Sequence, residues 1–101
     1  MTRREVLAWL EARRPTPPEP LRAAFERAVT DAPLPLPDHL ALLGGRLLAE
    51  VAAQPAGGRE LALDLLAADA LVTYAFEAQA ELDATRLAAL AERMRSAEPD
   101  A

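Results

Sequence analysis

Apolar side chains recur every three or four residues along most of this chain, which is the spacing of amphipathic α-helices. Thr2 and Glu5 match a capping box at the start of the first helix, and Asp38 is a suitable N-cap for the third. Prolines and a Gly-Gly pair between the apolar segments mark the ends of helices. The predicted helices span 3–13, 19–30, 39–54 and 59–81, and a last helical segment reaches about residue 95.

The fourth predicted helix is the longest and carries two apolar stripes. The first stripe contains Leu61, Leu65, Ala68, Val72 and Phe76, and the second contains Leu63, Leu66, Ala70 and Tyr74. Because a helix with two apolar faces needs two partners, we predict that this helix lies at the centre of a bundle or packs against a second copy of the chain. The side chains predicted to make that contact are either Val72 and Phe76 of the first stripe or Leu63, Leu66, Ala70 and Tyr74 of the second.

The segments between the helices limit the architecture. Two proline-rich connectors, over 15–20 and 33–37, cannot continue a helix because proline lacks the backbone donor. The Gly-Gly pair at 44–45 favours either a bend in the third helix or the close approach of another helix. After the fourth helix, either Asp83 or Thr85 caps a last helix, or the fourth helix continues through them.

Composition supports a single all-α domain. Apolar residues make up 51% of the chain and are mostly Leu and Ala, with four Val, four aromatic residues and no Ile. Leu and Ala favour helices, whereas β-branched and aromatic residues favour strands. The predicted fold is a small bundle of four to five helices with two proline-rich connectors and a long apolar central helix. It occupies 1–95, and the segment 96–101 is predicted to fray because it lacks apolar anchors.

The charge distribution argues against a nucleic-acid partner. The net charge is −5, and it is uneven: residues 1–30 carry six Arg and four Glu, while residues 31–101 carry five Arg and twelve acidic residues. A protein that binds the phosphate backbone usually has a basic surface, which this balance does not favour. No uncharged apolar run is long enough to span a bilayer, and the chain has no cysteine. We therefore expect a cytoplasmic protein that does not bind membranes, and the charge balance disfavours nucleic acid as its partner.

Few residues suggest site chemistry. Asp69, Thr73 and Glu77 recur every four residues and share one side of the fourth helix, with Asp64 on another flank. They either form a solvated strip or hold a divalent cation, and the solvated strip is the favoured interpretation. His39 is the only histidine and there is no cysteine, so the common zinc ligand sets are unavailable. No catalytic residue, cofactor site or metal site is predicted.

The sequence therefore predicts a non-catalytic helical interaction module that acts as an accessory or regulatory subunit. It is expected to bind another protein or, preferably, a second copy of itself as a homodimer. Two alternatives remain open. One is a small-ligand or metal-binding helical domain that uses Asp64, Asp69, Glu77 and His39. The other is a nucleic-acid-associated regulator or antitoxin that uses the arginine pairs of the first helix.

Overall fold

The computed structural model describes residues 1–55 and 57–97, and within them the fold is all-α with no strand. A single 3₁₀ turn, Ala84–Arg86, separates the last two helices. The radius of gyration is 13.3 Å, close to the ~13 Å of a compact domain of about 100 residues. The helices are α1 (Arg3–Glu11), α2 (Glu19–Ala28), α3 (Leu36–Ala52), α4 (Arg59–Asp83) and α5 (Leu87–Ala97).

The predicted start of α1 is confirmed by its hydrogen bonds. The Thr2 hydroxyl accepts from the Glu5 amide at 3.1 Å, and the Glu5 carboxylate accepts from the Thr2 amide at 3.0 Å. These two bonds satisfy donors that a helix start otherwise leaves open. The hydrogen bond from the Thr2 amide to the Glu5 carboxylate is the largest cause that holds the pKa of Glu5 below its usual range, and the Thr2 side chain lowers it further. The helix ends at Glu11, before the predicted residue 13, and Ala12 is its C-cap, with its amide donating to the carbonyl oxygen of Ala8.

The start of α3 differs from the prediction. The helix begins at Leu36 with Pro35 as its N-cap, so Asp38 lies inside the first turn and is not the cap. Pro37 is compatible with this position because the first turn of a helix does not need its amide donor. Asp38 instead accepts a hydrogen bond from Arg93 of α5 at 2.9 Å, which forms an ion pair between the two helices.

The end of α4 settles the alternatives left open around Asp83. The Asp83 carboxylate accepts from the amide of Thr85 at 3.0 Å and from its hydroxyl at 2.6 Å, so Asp83 is the capping residue. These hydrogen bonds lower the pKa of Asp83. Helix α5 extends through Ser96 and Ala97, the first two residues of the segment predicted to fray. The remainder of that predicted tail, 98–101, lies outside the described residues.

The core joins small residues of α4 to larger ones of the other helices. An alanine-rich face of α4 is buried in this core, together with Leu71. Phe25, Leu40 and Leu90 are the largest side chains contributed by α2, α3 and α5, and each is almost fully buried. The buried apolar residues of α4 are Ala67, Ala68, Leu71, Ala75 and Ala78. Within residues 1–55 and 57–97, no helix is both long enough and apolar enough to cross a membrane.

Gly44 allows α3 and α4 to approach closely. A Cβ atom at Gly44 would lie 2.8 Å from Cγ2 of Val72 and 3.2 Å from the carbonyl oxygen of Ala68, whereas a Cβ at Gly45 would meet nothing within 4 Å. Of the two predicted roles for this glycine pair, close approach therefore applies to Gly44. The two helices are consecutive in the chain. Gly44 in α3 and its neighbours Ala68 and Val72 in α4 lie at similar distances along the chain from the turn that connects the helices. They therefore form an antiparallel hairpin.

Candidate functional site

In the part of the chain that the structure describes, four large apolar side chains are exposed, and three of them lie in the half of the α3–α4 hairpin nearest its turn. Within the described residues, Leu48 is 48% exposed, Leu65 is 47% exposed and Leu66 is 59% exposed. The fourth, Leu82, is 68% exposed at the opposite end of α4. Single exposed leucines are ordinary, but three at one end of two packed helices form a candidate interaction surface. We call Leu48, Leu65 and Leu66 the leucine surface.

The helical rotation of about 100° per residue fixes how these side chains are arranged. Leu65 lies on the edge of α4 that carries Val72, the residue that packs against Gly44 of α3. Leu48 is one turn beyond Gly44, at a similar level of the hairpin. Leu66 is rotated to the outer side of α4, away from the buried alanines. The leucine surface therefore runs from the flank of the hairpin onto the outer face of α4.

The structure gives the six predicted interface side chains different environments. Leu66 is mainly exposed, while Leu63, Ala70, Val72, Tyr74 and Phe76 are half-buried. Helix α4 does not bury either predicted stripe fully; it buries the alanine face between them. Alanine is only weakly hydrophobic, so a face of alanines is less apparent in a sequence pattern than stripes of larger apolar residues. The buried face of α4 was therefore not recognised from the sequence. The signal that would have located part of it is Gly44 of α3, because a glycine inside a helix permits the close approach of another backbone, here at Ala68 and Val72 of α4.

Tyr74 is engaged within the chain. Its ring makes edge contacts with Trp9 at 5.9 Å and with Phe25 at 6.3 Å between ring centroids. The guanidinium of Arg13 lies 3.8 Å from the centre of the Trp9 ring. Burial raises the pKa of the Tyr74 hydroxyl above its ordinary value, nearby Glu77 raises it further, and Arg13 opposes the shift. This aromatic cluster attaches α1 and α2 to α4.

The acidic residues predicted as an alternative site are not brought together. Asp69, Thr73 and Glu77 are exposed on α4, and the Thr73 hydroxyl donates to the backbone carbonyl of Asp69 at 2.9 Å. Asp64 is half-buried on a different side of the helix, where it lies 3.6 Å from Arg27 of α2. Across residues 1–55 and 57–97, no three His, Asp or Glu side chains lie where they could share a metal ion.

His39 is fully buried in the first turns of α3. Its Nε2 atom lies 2.8 Å from the carbonyl oxygen of Thr30, while its Nδ1 atom is buried without a hydrogen-bond partner in the described part of the chain. The contact with Thr30 requires a proton on Nε2 for hydrogen bonding. The imidazole therefore connects α3 to the segment that follows α2, and it does not join the carboxylates of α4 as the alternative prediction required.

A groove of about 300 Å³ lies between α1 and α2. Leu10 and Phe25 contribute to its apolar lining. Arg22 also borders it, with a buried Nε atom that has no hydrogen-bond partner among the described residues. Three glutamates, Glu11, Glu19 and Glu26, complete the polar part of the lining. Because the polar groups carry both signs of charge, the groove does not select one class of charged ligand.

Charged residues flank the leucine surface along α4. Arg59 lies before Leu65 and Leu66, Asp69 lies after them, and both side chains are exposed. Neither makes an ion pair in the portion of the chain that the structure describes. Ala62, between them on the outer side, is small and exposed. This face therefore combines apolar surface, a small residue that permits close approach, and two opposite charges without partners.

Comparison with protein-family models, curated proteins and solved structures yields no match to this chain.

Proposed function

We propose that this protein is a non-catalytic interaction module that associates with a second copy of itself through the leucine surface. The observation that carries the proposal is the exposure of Leu48, Leu65 and Leu66 at one end of the α3–α4 hairpin. Burying an exposed leucine on association stabilises the complex through the hydrophobic effect, by about 25 cal/mol for each Å² of apolar surface removed from water. As an accessory or regulatory subunit, the protein would exert its function by binding its partner and not by catalysing a reaction.

The residues of the leucine surface and its surroundings are better suited to protein association than to catalysis or ligand binding. Arg59, Asp69 and Thr73 lie on the outer side of α4 with Leu66, and the Thr73 hydroxyl already donates to the carbonyl oxygen of Asp69 in its own helix. An interface needs apolar side chains surrounded by polar groups, which these residues provide. The surface is small, so we expect a weak dimer with an affinity in the micromolar range.

Sedimentation velocity over a micromolar concentration series tests the proposal directly. The wild-type protein is expected to shift from monomer to dimer as concentration rises. Leu66→Glu places a charge on the leucine surface and is expected to keep the protein monomeric at all concentrations tested, because a carboxylate is costly to bury without a partner.

Leu82→Glu is the matched control, because it introduces the same charge at an exposed leucine of the same helix, far from the leucine surface. This variant is expected to dimerise like the wild type. A wild-type protein that stays monomeric throughout the series would refute the proposal, and equal loss of dimer in both variants would show that the leucine surface is not the contact.

A further inference from the structure

The outer face of α4 carries opposite charges on the two sides of its exposed leucines. Arg59 lies on the N-terminal side of Leu65 and Leu66, and Asp69 lies on the C-terminal side. At a rise of about 1.5 Å per residue, Arg59 is roughly 10 Å and Asp69 roughly 5 Å from the midpoint of the two leucines. Suppose that a second α4 lies antiparallel to the first, with the two midpoints in contact. Asp69 of the second copy then lies toward the same end of the interface as Arg59 of the first.

We propose that two copies pair through antiparallel α4 helices about a two-fold axis near Leu65 and Leu66, with Arg59 of each copy bound to Asp69 of the other. This inference rests on the proposed self-association and specifies its geometry. The two charged positions would differ by about 5 Å along the helix axis, which the long arginine side chain can span. A two-fold axis makes the ion pair occur twice.

The charges select the direction of the two helices, which the leucines alone do not. In a parallel pair with the same leucines in contact, Arg59 would face Arg59 and Asp69 would face Asp69. Like charges brought together across an interface oppose association, whereas opposite charges favour it. Ala62 lies on the same face between the arginine and the leucines, and its small side chain lets the two helices approach.

Charge reversal tests the ion pair. Arg59→Glu and Asp69→Arg each replace an attraction by a repulsion, and each is expected to weaken dimerisation by roughly tenfold or more in Kd. The double variant restores opposite charges in exchanged positions and is expected to return the Kd to near the wild-type value. Glu77→Arg is the control, because Glu77 would lie beyond the end of the partner helix, and it is expected to leave the Kd unchanged.

A distance measurement tests the direction independently of the charges. The chain has no cysteine, so Ala80→Cys provides a single attachment site for a spin label on an exposed position of α4. Pulsed electron paramagnetic resonance on the dimer is expected to give a long distance between labels, since the two positions would be separated by roughly 40 Å along antiparallel helices. A parallel pair would bring the two labels within roughly 20 Å.

The outcomes separate this geometry from the self-association on which it depends. Restored affinity in the double variant together with the long label distance supports the antiparallel pair. A dimer that the double charge reversal does not restore, or that gives the short label distance, overturns the geometry and leaves the leucine surface as the contact. A monomeric wild-type protein overturns both.

Discussion

Gly44 and Gly45 are neighbours in α3 but face different surroundings, so the same substitution is expected to have opposite effects. Gly44→Ala would place a methyl group 2.8 Å from Cγ2 of Val72 and is expected to lower the free energy of unfolding by about 1–3 kcal/mol through overpacking. Gly45→Ala would meet nothing within 4 Å and is expected to raise it by up to about 1 kcal/mol through helix propensity.

Urea denaturation followed by circular dichroism measures both effects in one pair of variants. Each serves as the control for the other, because the chemical change and the helix are the same. Stabilisation by Gly44→Ala would show that α3 and α4 separate easily, and the close approach would then not hold the hairpin together.

The chain has a single tyrosine, so a tyrosine titration followed by absorbance reports on Tyr74 alone. Burial and the nearby charge of Glu77 raise the pKa of Tyr74 above 10.0, its value when unperturbed. The phenolate absorbance near 295 nm is therefore expected to appear at a higher pH in the folded protein than in urea. Tyr74→Phe removes the signal and confirms its origin. A midpoint at or below that of the unfolded chain would contradict the packing described for this ring.

The sign of the stability effect follows from linkage. The folded protein holds the Tyr74 proton more tightly than the unfolded chain, so its contribution to stability is fully present below pH 10. It is lost as the pH rises through the higher pKa of the folded state. The free energy of unfolding is expected to fall in this alkaline range for the wild type, and to fall less for Tyr74→Phe.

At the scale of the element, local patterns predicted the helices well and their packing less well. The capping box at Thr2 could be predicted because it uses hydrogen bonds between residues close in sequence. The break at Asp83 was only one of the alternatives that the sequence left open, and the structure decides between them. The start of α3 was misplaced because Asp38 is a good cap by type but is used in an ion pair with Arg93, far away in the chain. Only the tertiary structure shows that competition.

Helix α5 makes few contacts with the rest of the domain. Its local stability therefore shows whether the domain unfolds as one unit. Leu90 is the only fully buried side chain of α5 in the described part of the chain. Leu90→Ala is expected to cost about 2–5 kcal/mol at that site and to release α5 before the α3–α4 hairpin unfolds. Hydrogen exchange is expected to show lost protection over 87–97 with protection retained in α3.

Met94→Ala is the control for this prediction because Met94 is only half-buried on the same helix. It is expected to reduce protection in α5 much less. Uniform loss of protection across all helices in Leu90→Ala would show instead that α5 unfolds together with the rest of the domain.

At the scale of the whole molecule, the sequence indicated that α4 has apolar surface to spare but not where that surface is. Val72 packs near Gly44 and Tyr74 packs against Trp9 and Phe25, and because both side chains are only half-buried, their contact with a partner stays a prediction. Leu65 was placed in a stripe but not in the predicted interface, although it is half exposed. Which side of an apolar helix remains uncovered depends on where the other helices pack, and periodicity within one segment does not contain that information.

Self-association should also be visible in thermal stability, because a dimer that forms only from folded chains shifts the folding equilibrium by mass action. Once most chains are paired, each tenfold rise in concentration is expected to add roughly 0.7 kcal/mol per chain, which raises Tm by a few degrees in a domain of this size. Leu66→Glu is expected to have a Tm independent of concentration, while Leu82→Glu retains the dependence. Differential scanning calorimetry at several concentrations measures all three proteins, and a wild-type Tm that does not change with concentration would be incompatible with dimerisation through the leucine surface.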